Sequence, residues 1–473
     1  MSTTDHRRLH GVYAEVPASA PASQAPPRPL SPRWRVFADW AVIAAGLVVF
    51  CAIPHSVRGD GQARYDALDR LLREGVTMST RYSVVGPLFA TPLYFLGRMF
   101  GSPAAACGWF NLVLFVSFLF VSRRELRDEI DATTLRTFLI LLVFGSMFPS
   151  HIQFFYGEVF TALFVSLGIF LLARNATLVG WAAITIGAVN TPASVVGVAF
   201  VGAVVALRTR RWRWLVMPFV VFALTRIECF VFRGDLFHTG YEQDGAGPPS
   251  ILPYDGLPGF SYPLFFGVLS ILFSFGKGIV YFMPGLLVPV PRDLRARSPR
   301  AHWAGVVILA FLAGLVLAYA KWWAWQGGWF WGPRFFLIGC IPACFSIAAN
   351  VRRAPEHGLA RNALVLGALT LSFWVGVDGL VFDTFGLDFC QKDTIVFALC
   401  HTVPELSVLW HPLVAFESTV PASSRGLALA VCGFWALIYV YVGWGLFGVV
   451  QRQSRTYAGG LWERYALGTG WRL

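Results

Sequence analysis

The chain has 473 residues, of which 56% are hydrophobic and 14% are charged, and its mean hydropathy is +0.60. This composition excludes an ordinary soluble globular domain. The net charge of +12 comes from short basic loops between apolar segments rather than from one basic face or tail, so we expect no nucleic-acid partner. We predict an all-α polytopic membrane protein.

The predicted elements begin with a tail. Residues 1–35 are rich in proline, alanine and serine and predict a disordered cytoplasmic segment. Residues 36–450 contain recurring apolar segments that predict about twelve transmembrane helices, and residues 451–473 are expected to form a short cytoplasmic tail. The predicted spans are 36–54, 104–122, 134–149, 156–174, 178–192, 194–207, 214–233, 277–291, 303–320, 335–350, 363–382 and 425–450.

Basic loops set the predicted orientation. An even number of spans separates each basic loop from the next, so the positive-inside rule places all of them, and both termini, in the cytoplasm. This count requires the stretch 178–207 to break into two short helices at Asn190, Thr191 and Pro192. The basic loops start at Arg123, Arg208, Arg292, Arg352 and Gln451. The predicted outer loops are 55–101, 234–276, 321–334 and 383–424.

The first outer loop contains "GDGQARYDALDRLLREG", in which Asp60 lies between two glycines. Apolar residues recur at helical spacing from Gln62 and predict an amphipathic helix along the membrane surface. Asp60 is therefore either the N-cap of that helix or a catalytic carboxylate. Arg64 is a candidate ligand of phosphate or acceptor, or part of a solvated helix face. The segment 80–97 predicts a second interfacial piece.

Two further charged residues lie at predicted outer ends of spans. Lys277, between glycines, is either a lysine that reaches to the interface or a cation presented to a phosphate. A carboxylate at the position of Glu158 costs free energy unless it is solvated or paired with a cation. It either positions Arg334 or the acceptor, or forms a structural ion pair with Arg226.

The segment "AKWWAWQGGWFWGPRFF" has five tryptophans between two apolar stretches, more than an aromatic belt requires. Indole faces stack on sugars as well as on lipid, and Arg334 at the start of the next span calls for an anionic partner such as a phosphate. We therefore predict a site for an anionic, sugar-bearing lipid headgroup. The residues expected to contact sugar or lipid are Trp322, Trp325, Trp329, Trp331 and Tyr241.

Two features of the last outer region stay open. Cys390 and Cys400 form either a disulfide or two free thiols, and the cysteines as a set show no metal-ligand spacing. Asp378, Asp383 and Asp388 either contact sugar or metal or are simply solvated.

The motifs "GDGQARYDAL", "RYSVVGPLFATPLYFLG", "HTGY", "SFGKGIVYFMPGLL" and "WWAWQGGWFWGPRFF" together resemble those of prokaryotic membrane glycosyltransferases of the GT-C class. The most similar are carrier-lipid-dependent enzymes related to protein mannosyltransferases and aminoarabinose transferases. The resemblance covers residues 35–450 and implies a GT-C-like fold with interfacial helices in the outer loops. It further implies a bacterial cytoplasmic membrane, an outer active site, Asp60 as catalytic acidic residue, and Lys277 and Arg334 as phosphate ligands.

The resemblance implies a sugar donor linked to a polyprenyl phosphate and a lipid, glycan or protein acceptor. Some relatives have two adjacent acidic residues where this chain has Asp60 and Gly61, and this departure weakens the case for a metal here. A divalent metal is possible, and no cofactor is required. The chemistry expected is inverting transfer with Asp60 as general base. The alternative is a lipid-linked sugar transporter or flippase. Secondary candidates for substrate contacts are Glu158, Arg58, Arg64, Tyr65, Arg81 and Tyr281.

Overall fold

The computed structural model describes residues 33–241, 257–328, 330–382, 390 and 394–469. Over these residues the chain is helical, and its strand-like pairing is limited to one bridge between Ser56 and Phe154. Seven helices are long and apolar enough to cross a membrane, and five further apolar helices are shorter. The prediction of an all-α polytopic membrane protein is confirmed. The predicted tail 1–35 lies almost wholly outside the described residues.

The first half of the described chain contains α1 (Arg33–Ala52), α2 (Asp60–Glu74), α3 (Val85–Leu88), α4 (Thr91–Met99), α5 (Pro103–Gly108), α6 (Phe110–Leu126), α7 (Ala132–Phe144), α8 (Phe148–His151), α9 (Gly157–Ala173), α10 (Thr177–Val189), α11 (Ser194–Thr209) and α12 (Met217–Arg233). The second half contains α13 (Leu264–Phe273), α14 (Ile279–Phe282), α15 (Arg292–Arg297), α16 (Pro299–Tyr319), α17 (Cys340–Val351), α18 (Leu359–Val381), α19 (Thr394–Thr402), α20 (His411–Val414), α21 (Phe416–Thr419) and α22 (Arg425–Thr469).

Most of the predicted spans coincide with helices. The stretch 178–207 does form two helices, α10 and α11, as the charge pattern requires. The predicted span 277–291 is wrong as a continuous helix, because it consists of α14, a 3-10 turn at Pro284–Leu287 and extended residues. Gly285 packs against the backbone of Ala343, where a Cβ would lie 2.2 Å from the carbonyl oxygen. The sequence between 264 and 273, expected in a loop, forms α13.

The basic loops meet at one end of the bundle, which we call the basic end. Arg300 pairs with Glu129 at 3.0 Å, and Arg353 pairs with Asp293 at 3.2 Å. The guanidinium of Arg208 lies 4.1 Å from the ring centre of a tryptophan at the start of α16. The shared location of these loops agrees with the positive-inside pattern, and the side of the membrane that they face stays a prediction.

The last helix is longer than predicted. α22 contains 45 residues, so it is about 68 Å long and exceeds the thickness of a bilayer core. The residues 451–469, predicted as a tail, continue this helix. Near its middle, Tyr441 donates a hydrogen bond of 2.7 Å to Asp39, which also pairs with Arg136 at 2.7 Å. This buried ion pair joins α1 to α7, and the tyrosine attaches α22 to it.

Candidate functional site

Asp60 is the first residue of α2 and lies at the end of the bundle opposite the basic end, which we call the site end. Its Oδ2 is 2.7 Å from the guanidinium nitrogen Nη1 of Arg334, and its Oδ1 accepts a hydrogen bond of 2.6 Å from the Tyr82 hydroxyl. The N-cap position is held by Gly59, and no side chain caps the helix. The interpretation of Asp60 as a helix cap is therefore wrong, since its carboxylate turns to Arg334 instead.

The backbone after Asp60 explains the glycine at position 61. An ideal Cβ on Gly61 would lie 2.9 Å from the carbonyl oxygen of Phe155. The neighbouring segment is held in the same place, since the Ser56 amide donates to the Gln153 carbonyl at 2.9 Å. The start of α2 is thus pressed against the loop before α9.

Gly61→Ala is expected to destabilise the protein by about 1–3 kcal/mol, because the methyl group must displace backbone rather than a mobile side chain. Thermal unfolding in detergent measures the effect. Gly305→Ala in α16 is the matched control, because a Cβ there has nothing within 4 Å. Equal unfolding temperatures for the two variants would contradict the close packing at Gly61.

Arg334 joins two carboxylates from separate parts of the chain. The nitrogen that approaches Asp60 is also 3.4 Å from Oε1 of Glu158, the second residue of α9. Of the two hypotheses for Glu158, pairing with Arg226 is wrong, because Arg226 donates to the Leu236 carbonyl. Glu158 lies beside Arg334 instead. The three side chains are only 7–14% exposed, so their charges interact in a poorly solvated setting.

Aromatic rings and open backbone surround the guanidinium of Arg334. Its central carbon lies 3.9 Å from the ring centre of Phe330 and 5.2 Å from that of Phe335. Gly327 has a φ of 76° and lies against the arginine stem, where a Cβ would be 3.2 Å from its Cγ. The two rings pack against the planar guanidinium, and Gly327 leaves space for the arginine stem. Together they fix the orientation of the cation.

Burial raises the pKa of Asp60, but the positive charge of Arg334 and the hydrogen bonds from Tyr82 and Arg334 outweigh it, so the net pKa lies below 3.8. The stabilising contribution of this carboxylate is therefore complete above its unfolded pKa and is lost as the pH falls through the folded pKa. Burial, followed by the charge of Asp60, raises the pKa of Tyr82. Asp60 is thus a carboxylate, and Tyr82 a neutral donor, near neutral pH.

Tyr82 is a site residue that the sequence analysis missed. Its segment is held from α12, since Arg233 donates to the Thr80 carbonyl at 2.7 Å and pairs with Glu228 at 2.8 Å. Glu228 in turn accepts from the backbone amide of Val84. The available signal was the location of Tyr82 inside the motif "RYSVVGPLFATPLYFLG".

Arg64 and Asn190 form the support behind the site. Arg64 is buried and donates to the Ser83 carbonyl at 2.9 Å, so its assignment to a solvated helix face is wrong. The Asn190 amide donates to the Gly157 carbonyl at 2.9 Å, and its oxygen accepts from the Gly86 amide at 3.1 Å. One side chain therefore fixes both the start of α9 and the segment after Tyr82. The sequence indicated Asn190 only as a helix breaker.

Lys277 is buried and supports the tryptophan-rich loop. Its ammonium donates to the carbonyls of Gly328 and Gly332 at 3.2 Å each, and also to that of Phe330. Phosphate binding by Lys277 stays a prediction. Reaching a phosphate requires Lys277 to give up at least one of these carbonyls.

The tryptophans expected to contact sugar or lipid have different surroundings. Trp331 is buried and donates to Asp378 at 2.9 Å, and Trp325 is buried against Tyr262. Their burial contradicts direct ligand contact in this conformation. Asp378 belongs to α18, so its assignment to a solvated loop is wrong too. Trp322 is half-buried, and Trp329, Asp383 and Asp388 lie outside the described residues.

Tyr241 is the predicted aromatic contact that does lie at the site. Its ring packs edge-on against Tyr82 and against Trp322. Burial, opposed by the charge of Arg64 and reinforced by that of Asp60, raises the pKa of Tyr241 to about 12. Tyr241 and Trp322 thus extend an aromatic wall from the acidic centre.

The secondary candidates are dispersed. Arg58 is exposed and lies over the ring of Phe154, while Arg81 is exposed beside Tyr82. Tyr65 is buried near Tyr94 in a separate cluster, where burial and then the charge of Asp69 raise its pKa to about 12. Tyr281 stacks on Phe275 near Lys277. Arg58 and Arg81 therefore flank the site, whereas Tyr65 belongs to the packing of α2.

The part of the chain that the structure describes has no group of three or more histidine, cysteine or acidic residues suited to a metal. Asp60 and Glu158 do come together, but around a guanidinium. Cys390 and Cys400 are joined in a disulfide, which decides the alternative left open by the sequence. This disulfide lies near Lys277. The amide of Gly276, the residue before Lys277, donates a hydrogen bond of 3.1 Å to the carbonyl of His401, the residue after Cys400.

No protein-family model matches the chain, and no curated protein matches it at a significant level. Among solved structures, it is similar to the crystal structure of ArnT from Cupriavidus metallidurans bound to undecaprenyl phosphate. The two are 16% identical, with a TM-score of 0.45, and the match covers 89% of this chain and 79% of that one.

Proposed function

We propose that the chain is a membrane glycosyltransferase that moves a sugar from a polyprenyl-phosphate donor to an acceptor hydroxyl on the outer face of the membrane. The observation that carries the proposal is the buried cluster of Asp60, Arg334 and Glu158 at the site end, bordered by Tyr82. A phosphate-bound sugar requires a cation for the leaving group and a base for the attacking hydroxyl. The cluster supplies one of each in direct contact.

In the proposed reaction the donor phosphate binds the guanidinium of Arg334, which draws that cation away from Asp60. The acceptor oxygen attacks the anomeric carbon and its proton passes to Asp60. The bond from that carbon to the phosphate oxygen breaks, and its electron pair leaves with the phosphate, where Arg334 stabilises the charge. A single displacement inverts the configuration. Glu158 keeps a negative charge next to Arg334 throughout and so positions it.

Lys277 is proposed to act on the same phosphate, or on the loop that presents Arg334. Its three carbonyl partners support the second role. Aromatic side chains of Trp322 and Tyr241 border the proposed sugar position.

The rival function, transport of a lipid-linked sugar, calls for polar groups along a path through the bundle. Among the described residues, the buried charges gather towards the two ends, as with Asp39 and Arg136 in one place and Asp60 and Arg334 in another. This distribution favours chemistry at the site end. The test uses purified protein with a panel of radiolabelled polyprenyl-phosphate sugars and membrane extract, alongside proteoliposomes that report lipid crossing. Sugar transfer supports the transferase, whereas lipid crossing without transfer supports the transporter.

The pH profile is expected to differ between the free and donor-bound enzyme. In the free enzyme Arg334 holds the pKa of Asp60 below 3.8, so kcat/KM should stay flat down to that region. Once a phosphate shares Arg334, the pKa of Asp60 rises, and the acid limb of kcat should lie at higher pH. Steady-state rates from pH 4 to 8 should show the acid limb of kcat and a flat kcat/KM. An acid limb of kcat/KM near the pKa of an ordinary histidine, about 6.5, would assign the base elsewhere.

A further inference from the structure

A cavity of about 290 Å³ lies at the basic end, separated from the site end by the length of α9, about 25 Å. Its walls come from the turn between α9 and α10, the turn between α11 and α12, and the start of α16. The proposed transferase chemistry uses none of these segments. The polar and aromatic lining residues include Asn175, Thr177, Arg208, Arg211, Trp214 and Trp303.

The cavity carries positive charge without a paired acid. The guanidinium of Arg208 lies 4.1 Å from the ring centre of Trp303, and Arg211 is exposed at the opening. Across the described residues, neither arginine forms an ion pair with a carboxylate, although nearby Arg174 pairs with Glu125 at 2.9 Å. A guanidinium that stacks on an indole keeps its planar edge available for a phosphate. The arrangement suits an anion.

The backbone of both turns is unusual at this place. Asn175 has a φ of 64° and Arg210 a φ of 55°, and they are the two non-glycine residues with positive φ among those that the structure describes. A left-handed arginine is disfavoured by its Cβ and persists where surrounding structure enforces it. Both strained residues border one cavity, which agrees with a binding role for the two turns.

The surroundings of the cavity distinguish a lipid from a free phosphate. Leu178 is 84% exposed at the start of α10, and Leu207 and Trp212 are each 60% exposed on the other wall. An apolar rim beside a basic cavity matches a molecule with a phosphate headgroup and acyl chains. We propose that this cavity binds the headgroup of an anionic phospholipid in the leaflet at the basic end.

The test measures binding of phosphatidylglycerol to the detergent-purified full chain by native mass spectrometry, with phosphatidylcholine and glycerol 3-phosphate as comparison ligands. The variant Arg208→Gln with Arg211→Gln should weaken phosphatidylglycerol binding by about 25-fold, about fivefold for each cation. The control pair Arg452→Gln with Arg455→Gln removes the same charge from exposed positions on α22 and should leave binding unchanged. Phosphatidylcholine should bind weakly to all three proteins.

Equal losses in the two double variants would overturn the proposal, because a diffuse surface charge would then explain the binding. Tight binding of glycerol 3-phosphate, matching that of phosphatidylglycerol, would overturn the lipid assignment in favour of a free phosphate. Both arginines are exposed, so we expect the variant to fold. Should it not, Arg211→Gln alone provides the measurement, with an expected loss of about fivefold.

Discussion

Asp60→Asn is expected to reduce sugar transfer by about 10³-fold while donor binding persists. The amide keeps the size of the carboxylate and can still accept from Tyr82, but it cannot take the proton of the acceptor hydroxyl. Arg334 retains Glu158 as a partner and remains in place for the phosphate. The measurement is kcat for transfer beside the equilibrium binding of a non-hydrolysable donor.

Asp66→Asn is the matched control for this change. It removes the same charge from the same helix, where Asp66 accepts a hydrogen bond from Gln62 at an exposed position. We expect near wild-type transfer from it. If Asp60→Asn transferred sugar at the wild-type rate, Asp60 would be a structural partner of Arg334 and the base would have to be sought elsewhere.

Arg334→Gln is expected to have a double effect. Without the guanidinium, Asp60 and Glu158 are left as two buried carboxylates with no shared counter-charge, which should cost about 3–5 kcal/mol of stability. Loss of the cation that we propose stabilises the leaving phosphate should lower kcat by about 10²–10³-fold. Thermal unfolding and transfer kinetics measure the two effects separately.

Three comparisons interpret that result. Arg334→Lys should recover part of the stability but little of the activity, since an ammonium lacks the fork that Phe330 and Phe335 hold flat. Arg70→Gln removes an exposed arginine that pairs with Glu74 and should change neither quantity. Full activity of Arg334→Lys would contradict a bidentate phosphate contact and favour a simple charge effect.

The sequence predicted the helices well because bilayer thickness and interfacial charge act on every span in the same way. The stretch 178–207 shows the benefit, since the alternation of basic loops requires a break within it and Asn190, Thr191 and Pro192 mark the place. The failure at 277–291 has a local cause. That segment is as apolar as a helix, but Gly285 must approach the backbone of Ala343, and no periodicity encodes a contact between distant residues.

The sequence indicated which charged residues belong to the site, but not which of them form ion pairs with one another. Asp60 and Arg334 lie within recognisable motifs. Glu158 could also be picked out as a candidate, because a charged side chain at the end of a span is costly unless it is paired. Which carboxylate meets which arginine depends on the packing of α2, α9 and the loop before α17, so Arg226 was an equal candidate for Glu158. Trp325 and Trp331 were predicted to contact ligand because the sequence does not distinguish an indole that faces a ligand from one that, like Trp331, faces a buried aspartate.

The ion pair between Asp60 and Arg334 has a consequence for the end of the catalytic cycle. In the proposed reaction Asp60 carries the acceptor's proton after transfer, and a neutral carboxyl group attracts Arg334 far less than a carboxylate does. The guanidinium can return to Asp60 only when that proton has left. Loss of the proton would therefore help to expel the spent carrier phosphate, so product release should become faster as the pH rises.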